Sequence, residues 1–325
     1  VTIIETLSML ADQTENQKMQ KALYEVKADV EKGESFADAL SKHKKVFPEL
    51  LIQMARAGEA SGSLDTSMER MAIQFEKTAK TQALVKKAMI YPIVVALVAV
   101  AVIVVMLVFV IPRYMDMFEE LGTELPAITL AVVAMSNFIK NFWYIIIPVI
   151  IGIVVAVKSY AATSSGKHLF GKIQLKIPAI RNLVVKSACS QMARTLSTLL
   201  AAGVPLVEAV DIVAETMSNI WFKEALKEAT EQLIIGVPLS QPLQTSGLFP
   251  PMVYHMIHIG EEAGSTEEML NKLADYYEEE VEMAVQSLMA AMEPMIIVVL
   301  ACIVGVLIAA VMAPMVEMYS ALDNL

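Results

Sequence analysis

The sequence holds only two cysteines, Cys189 and Cys302, and 6% aromatic residues. Cys302 lies in an uncharged apolar run and Cys189 does not, so no disulfide between them and no oxidising compartment are expected. The phosphate-binding pattern Gly-x-x-x-x-Gly-Lys-Ser/Thr is missing; Ser165-Gly166-Lys167-His168 has the Gly-Lys pair alone. No His-Glu-x-x-His helix occurs. His255 and His258, three apart, share a helix face, but a solvated or partner-facing surface fits them better than a metal. The long apolar runs lack ionisable side chains, which argues against a proton or ion pathway and hence against a transporter. Neither an intramembrane nucleophile nor a metal motif points to a membrane enzyme. Acidic residues are absent between Lys158 and Val207, although that stretch carries Lys158, Lys167, Lys172, Lys176, Arg181, Lys186 and Arg194. Because this basic run follows an apolar one, it reads as a membrane flank touching anionic headgroups, not as a nucleic-acid surface.

What the chain has is apolar length. Of 325 residues 56% are hydrophobic, despite a formal net charge of -10, and mean hydropathy is +0.56. These values put it in the membrane class. Ala88 to Pro112 is uncharged and, as a helix, about 37 Å long, enough to cross a bilayer. A lone strand there would leave its backbone unpaired in lipid. Asn141 to Val157 is a shorter second run, with Trp143, Tyr144, Lys158 and Tyr160 as interface anchors, and Pro294 to Val316 a third. Leu125 to Ile139 is also apolar, but Pro126, Thr129, Ser136 and Asn137 interrupt it, so it reads as an interfacial lead-in to the second span. Lys77, Lys80, Lys86 and Lys87 precede span one, and the acid-free basic stretch follows span two. Lys and Arg mark the cytoplasmic side, so the N-terminus is read as inside and the C-terminal tail as outside.

The chain also repeats itself. Glu5, Ala11, Leu23, Gly33 and Leu40 recur 203 residues later as Glu208, Ala214, Leu226, Gly236 and Leu243. After one deletion the spacing is 202: Phe47, Pro48, Gly58, Glu59, Gly62, Ser63, Pro92 and Pro112 recur as Phe249, Pro250, Gly260, Glu261, Gly264, Ser265, Pro294 and Pro314. Spans one and three are therefore equivalent and parallel, which the single span between them permits. Within each copy glycines and prolines punctuate helical periodicity. Gly58-Glu59-Ala60-Ser61-Gly62-Ser63 reads as a helix corner whose first glycine ends a helix. In its second copy, Ser265 and Glu268 are spaced as a capping box. Glu278, Glu279, Glu280 and Glu282 form an acidic run, read as a solvated face or a contact for a basic partner. Val1 aligns with Val204, so copy one lacks the amphipathic stretch seen at 191–203; residues upstream of Val1 are expected.

Lys86-Lys87-Ala88-Met89-Ile90-Tyr91-Pro92, then Val110-Ile111-Pro112-Arg113, the two Gly-Glu-x-x-Gly-Ser corners and Leu199-Leu200-Ala201-Ala202-Gly203-Val204-Pro205-Leu206 carry a resemblance. In this order, over essentially the whole chain, they resemble the inner-membrane platform family of type IV pilus and type II secretion machines. That implies an all-α membrane protein without catalytic activity or cofactor. It further implies a cytoplasmic hexameric ATPase, pilins or pseudopilins and other inner-membrane assembly proteins as partners, with self-association. A pilus platform is the leading reading, a secretion platform the alternative and a transporter the remote one.

The expected layout is 1–87 first cytoplasmic helical domain, 88–112 span one, 113–140 external loop, 141–157 span two, 158–290 second cytoplasmic domain, 291–316 span three and 317–325 external tail. The recurring corners mark Arg56, Gly58, Glu59, His258, Gly260, Glu261 and Glu262 as candidate ATPase contacts. Glu59→Lys or Glu261→Lys is expected to weaken docking without unfolding the domain. Ala301, Gly305, Ala309 and Ala313, four apart, form a small-residue stripe expected to be a helix–helix seam.

Overall fold

The computed structural model describes residues 2–110, 112–113 and 127–322. The first copy runs α1 (Ile3–Gln13), α2 (Gln17–Glu31), α3 (Phe36–Ser41), α4 (Glu49–Ser61) and α5 (Leu64–Val105), closed by a π-helical turn, Met106–Val110. There follow α6 (Ala127–Ala162), α7 (Ser164–Lys176) and α8 (Pro178–Ala201). The second copy is α9 (Leu206–Thr216), α10 (Ile220–Ile234), α11 (Ser240–Ser246), α12 (Pro251–Ala263) and α13 (Thr266–Leu322). No strand occurs among the described residues. The sequence repeat is a repeat of helices: both ends of α1 and α2 recur at 203 in α9 and α10, and both ends of α4 at 202 in α12.

Local chemistry sets the ends. Thr2 caps α1 in a capping box with Glu5, Asn16 caps α2 through the Lys18 and Met19 amides, and Asn219 caps α10 through Trp221. Pro48 and Pro250 precede α4 and α12, where a proline costs no intrahelical hydrogen bond.

The chain forms two compact units, Val1–Gln82 with His168–Met283, and Ala83–Lys167 with Ala284–Leu325. In the first unit, copy one has its own small core of Leu7, Leu23, Val26, Leu40, Phe47 and Ile52. The larger core belongs to copy two, around Phe222, Leu226, Leu196, Met192 and Ile257, yet it also takes in Leu50, Met54 and Met71 of copy one. Burying each such side chain is worth roughly 1.5–3 kcal/mol. The two copies, expected as separate cytoplasmic domains, therefore share the larger core.

In the second unit, three helices are long and apolar enough to cross a membrane: α5, α6 and α13. Residues 127–140 are not a separate interfacial segment; they are the start of α6. Val132 and Val133 are buried with Leu107 and Ala310. Ser136, read as an interruption, donates its hydroxyl to the Leu107 carbonyl in the π-helical turn. That bond supplies the partner a buried hydroxyl needs. The acidic loop residues Asp116, Glu119, Glu120 and Glu124 lie outside the described residues.

Candidate functional site

The two corners have the same geometry. Gly58 and Gly260 sit inside α4 and α12, both buried where the next helix crosses. A Cβ on Gly58 would lie 2.9 Å from Leu64 Cα, and one on Gly260 2.8 Å from Thr266 Cα, so only glycine permits the crossing. The left-handed residue is the second glycine, contrary to the sequence reading: φ is 70° at Gly62 and 67° at Gly264. Each turn closes with Ser63 N–H on the Gly58 carbonyl and Ser265 N–H on the Gly260 carbonyl, both at 2.9 Å. The capping box is not formed either: Glu268 pairs with Lys272 at 2.6 Å, which draws its carboxyl below the usual range.

The glutamates between these glycines turn inward. Glu59 accepts from Phe36 N–H at 2.5 Å and Ala37 N–H at 3.0 Å, the first amides of α3. Glu261 accepts from Leu239 N–H at 2.5 Å, Ser240 N–H at 3.2 Å and Ser240 Oγ at 2.7 Å, at the start of α11. Each carboxylate thus caps a neighbouring helix, meeting unsatisfied amides and the positive end of the helix dipole at once. A lysine at 59 or 261, expected to spare the fold, would remove this contact. The remaining candidates are exposed. Arg56 pairs with Asp38 at 3.1 Å, and its counterpart His258 with Glu262 at 3.4 Å. His255 lies against Tyr254, ring centroids 4.7 Å apart. Among the described residues no three potential ligands come together for a metal.

Three of the four glutamates in the acidic run, Glu278, Glu280 and Glu282, are engaged by cations of the same chain, while Glu279 is exposed. Arg194 on α8, its side chain 11% exposed, donates to Glu278 at 2.7 Å and Asn271 at 2.5 Å, and bonds Asp275. Lys77 of copy one reaches Asp275 at 3.2 Å and Glu278 at 3.0 Å, and Lys80 reaches Glu282 at 2.9 Å. Lys186 pairs with Glu280. Gln74 Nε2 donates to Thr195 Oγ1 at 3.4 Å behind this charge clamp. Burial works against the ionised Asp275, but the Arg194 hydrogen bond and charge, then those of Lys77, hold its carboxyl below the ordinary value. Sequence reading missed the clamp; its one trace was Arg194 among the apolar residues of an acid-free helix. Cys189 is buried, and burial pushes its thiol pKa up, which disfavours the reactive thiolate.

On α13 the small-residue stripe and the packed face are different. Ile303 and Ala310 pack with Leu107 and Val133. Ile296, Val299 and Leu300 line an apolar groove of about 180 Å³ with Pro92, Ala96 and Ala99. Ala301, Gly305 and Ala309 are exposed, and a Cβ at Gly305 would meet nothing within 4 Å. The side chain of Ala313 lies outside the described residues.

Duplicated helical units, matched corners and three apolar helices define an all-helical, multi-pass membrane protein of the platform type. Residues 1–112 and 192–314 match the family described as Type II secretion system (T2SS), protein F, and the chain belongs to that family. It is 39% identical to the Type IV pilus assembly protein PilC of Pseudomonas aeruginosa, over 98% of this chain and 85% of that protein. Identity to the PilC of Thermus thermophilus is 37%, over 99% of this chain and 80% of the relative. The Type II secretion system protein F of Aeromonas hydrophila is 32% identical, over 98% and 82%. The protein is accordingly an inner-membrane, multi-pass component of this machinery.

Proposed function

We propose that this chain is the platform of a type IV pilus assembly machine, a non-catalytic protein that couples a cytoplasmic hexameric ATPase to movement of pilins into or out of the fibre. The observation that carries the pilus reading is the higher identity to the two pilus assembly relatives, 39% and 37%, than to the secretion relative, 32%. The mechanical part is supported by continuity. The helix α5 is unbroken over 42 residues, about 63 Å, and the clamp ties its cytoplasmic portion to copy two. A push on either copy is thus passed to the other. In this reading Arg56, His258 and Glu262 offer the ATPase exposed charge, while Gly58, Glu59, Gly260 and Glu261 hold the corners that present them. Producing the chain in a Pseudomonas aeruginosa strain without PilC is expected to restore pili. Rescue only of secretion, in Aeromonas hydrophila without its protein F, would replace the pilus reading with the secretion one.

The orientation follows the basic residues: both copies inside, the segment between α5 and α6 and the tail after Ala313 outside. In a Cys302→Ser background, single cysteines at the exposed Lys44 and Glu262 should resist an impermeant maleimide in intact cells. One at Thr123 should react. Labelling at 262 sinks the three-span topology. The exposed stripe on α13 is read as a seam with a second copy. Gly305→Cys is expected to crosslink between differently tagged chains, and a bond formed only within one chain ends the dimer reading.

A further inference from the structure

Span-bearing α6 gives way to α7 across a single residue, Thr163. The backbone folds back on itself there: a Cβ on Gly166 would collide with the Tyr160 carbonyl oxygen, an approach that a continuing helix could not produce. One face of α7 is docked. Gly171 lies where a Cβ would come 3.0 Å from the Trp221 ring and 3.1 Å from Asn219 Oδ1. Trp221 Nε1 donates to the His168 carbonyl at 3.2 Å, and Asn219 Nδ2 to Gln174 Oε1 at 3.0 Å. Leu175 packs on the larger core.

The opposite face is uncovered and apolar. Leu169, Ile173 and Ile177, four apart, are 47%, 41% and 42% exposed. Leu169 and Ile173 stack along α7 with Lys172 and Lys176 along their edge, and Ile177 follows in the extended residue that joins α7 to α8. A docked helix of a water-soluble surface would put polar residues there. An apolar stripe edged by lysines is the pattern of a helix lying in a membrane interface. Beyond α7, Lys176, Arg181 and Asn182 line a groove of about 510 Å³, bounded opposite by Leu248, Phe249 and Pro250. No carboxylate lines it, in keeping with a segment that has no acid from 158 to 207.

We propose that α7 is an interfacial helix that binds anionic phospholipid, with Leu169, Ile173 and Ile177 in the acyl boundary and Lys172, Lys176 and Arg181 on the headgroups. Charge fixes the occupant: Lys172, Lys176 and Arg181 are exposed, the groove beyond them holds no carboxylate, the nearest acid along α7 is Glu224 on His168 at 3.2 Å, and the segment follows a membrane span in the chain. The site is independent of whether the machine makes pili or secretes. It would anchor the start of the second copy to the bilayer, so that the clamp has a fixed point to work against.

The test uses the full chain with Cys302→Ala, an environment-sensitive dye on Ile173→Cys, and nanodiscs of phosphatidylcholine with or without phosphatidylglycerol. Dye on Lys44→Cys is the water-exposed control. The emission at 173 is expected to shift to the blue with phosphatidylglycerol and to be quenched by spin-labelled lipid. The double substitution Lys172→Glu, Lys176→Glu should lower the partitioning of α7 into the interface, read from the dye at 173, at least about fivefold for each lysine removed. A dye on Ile177→Cys reports the same insertion without touching a lysine. The proposal is overturned if the dye at 173 behaves as at 44. It is equally overturned if the shift is the same in pure phosphatidylcholine and survives the double substitution. A shift that appears only on adding the ATPase would make the face a protein-docking surface and overturn it too.

Discussion

Glu261→Lys is expected to destabilise the body formed by the two copies by about 3 kcal/mol and to release α11 from its corner. The loss has two parts. Three hydrogen bonds to a charged acceptor disappear, each worth roughly 1.5–3 kcal/mol before water replaces the partner. A cation then replaces an anion at the amino end of a helix, the unfavourable sign for its dipole. Half-burial of Glu261 keeps the sum moderate, because solvent compensates part of it. Glu261→Gln retains an acceptor and should cost about 1 kcal/mol. Hydrogen exchange at the Leu239 and Ser240 amides distinguishes local release from global unfolding. Parent-like protection of both amides in Glu261→Lys would show that the carboxylate is dispensable, and would return Glu261 to the surface-contact role.

Arg194→Glu is the second large effect. It sets a third carboxylate beside Asp275 and Glu278 and leaves Lys77 as their nearest cation. Removing one partner of a buried pair costs roughly 3–5 kcal/mol. Asp275 is 57% exposed and Glu278 23%, which draws this estimate down to about 3 kcal/mol. Adding Glu278→Arg to Arg194→Glu restores an opposite pair and should recover part of the loss; a double-mutant cycle reads the coupling. If the single reversal melts with the parent, the clamp is ornamental. The clamp also carries a pH signature. Asp275 is held below its ordinary value of 3.8. Its contribution is therefore complete above that value and is lost as pH falls through the lower folded value. Acid titration of the parent should reveal this loss below about pH 4, and Asp275→Asn should remove that step.

The membrane spans and the duplication were legible because each leaves a one-dimensional trace: uninterrupted apolar length in one case, residue identity at a fixed offset in the other. The corner was legible as a turn, but its parts were misassigned. Which of two glycines is left-handed depends on where the helix ends, and the answer, Gly62 and Gly264, comes with a second demand on Gly58 and Gly260 that only the crossing helix imposes. The glutamate caps were not legible. Glu59 finds its amides 22 and 23 residues away, across a fold that periodicity does not encode. Ser136 misled for a related reason: a hydroxyl counts as an interruption until its acceptor, 29 residues back, is known. The acid-free basic run was visible as a whole. Its division was not: Lys186 and Arg194 serve the clamp, while Lys172, Lys176 and Arg181 remain exposed.

One pair in the clamp carries a historical consequence. Lys80 and Glu282 are 2.9 Å apart in space and 202 positions apart in sequence, the offset of the repeat itself. Corresponding places on the two copies therefore meet each other, as they do across the axis of a symmetric pair. In an assembly of identical single-copy chains that place would bear the same side chain on both sides, lysine against lysine or glutamate against glutamate, and would repel. Fusing two copies into one gene releases them from that identity. Each half is then free to take opposite charge where it touches the other, and the self-complementary contact becomes a directional one that cannot be assembled with its halves exchanged.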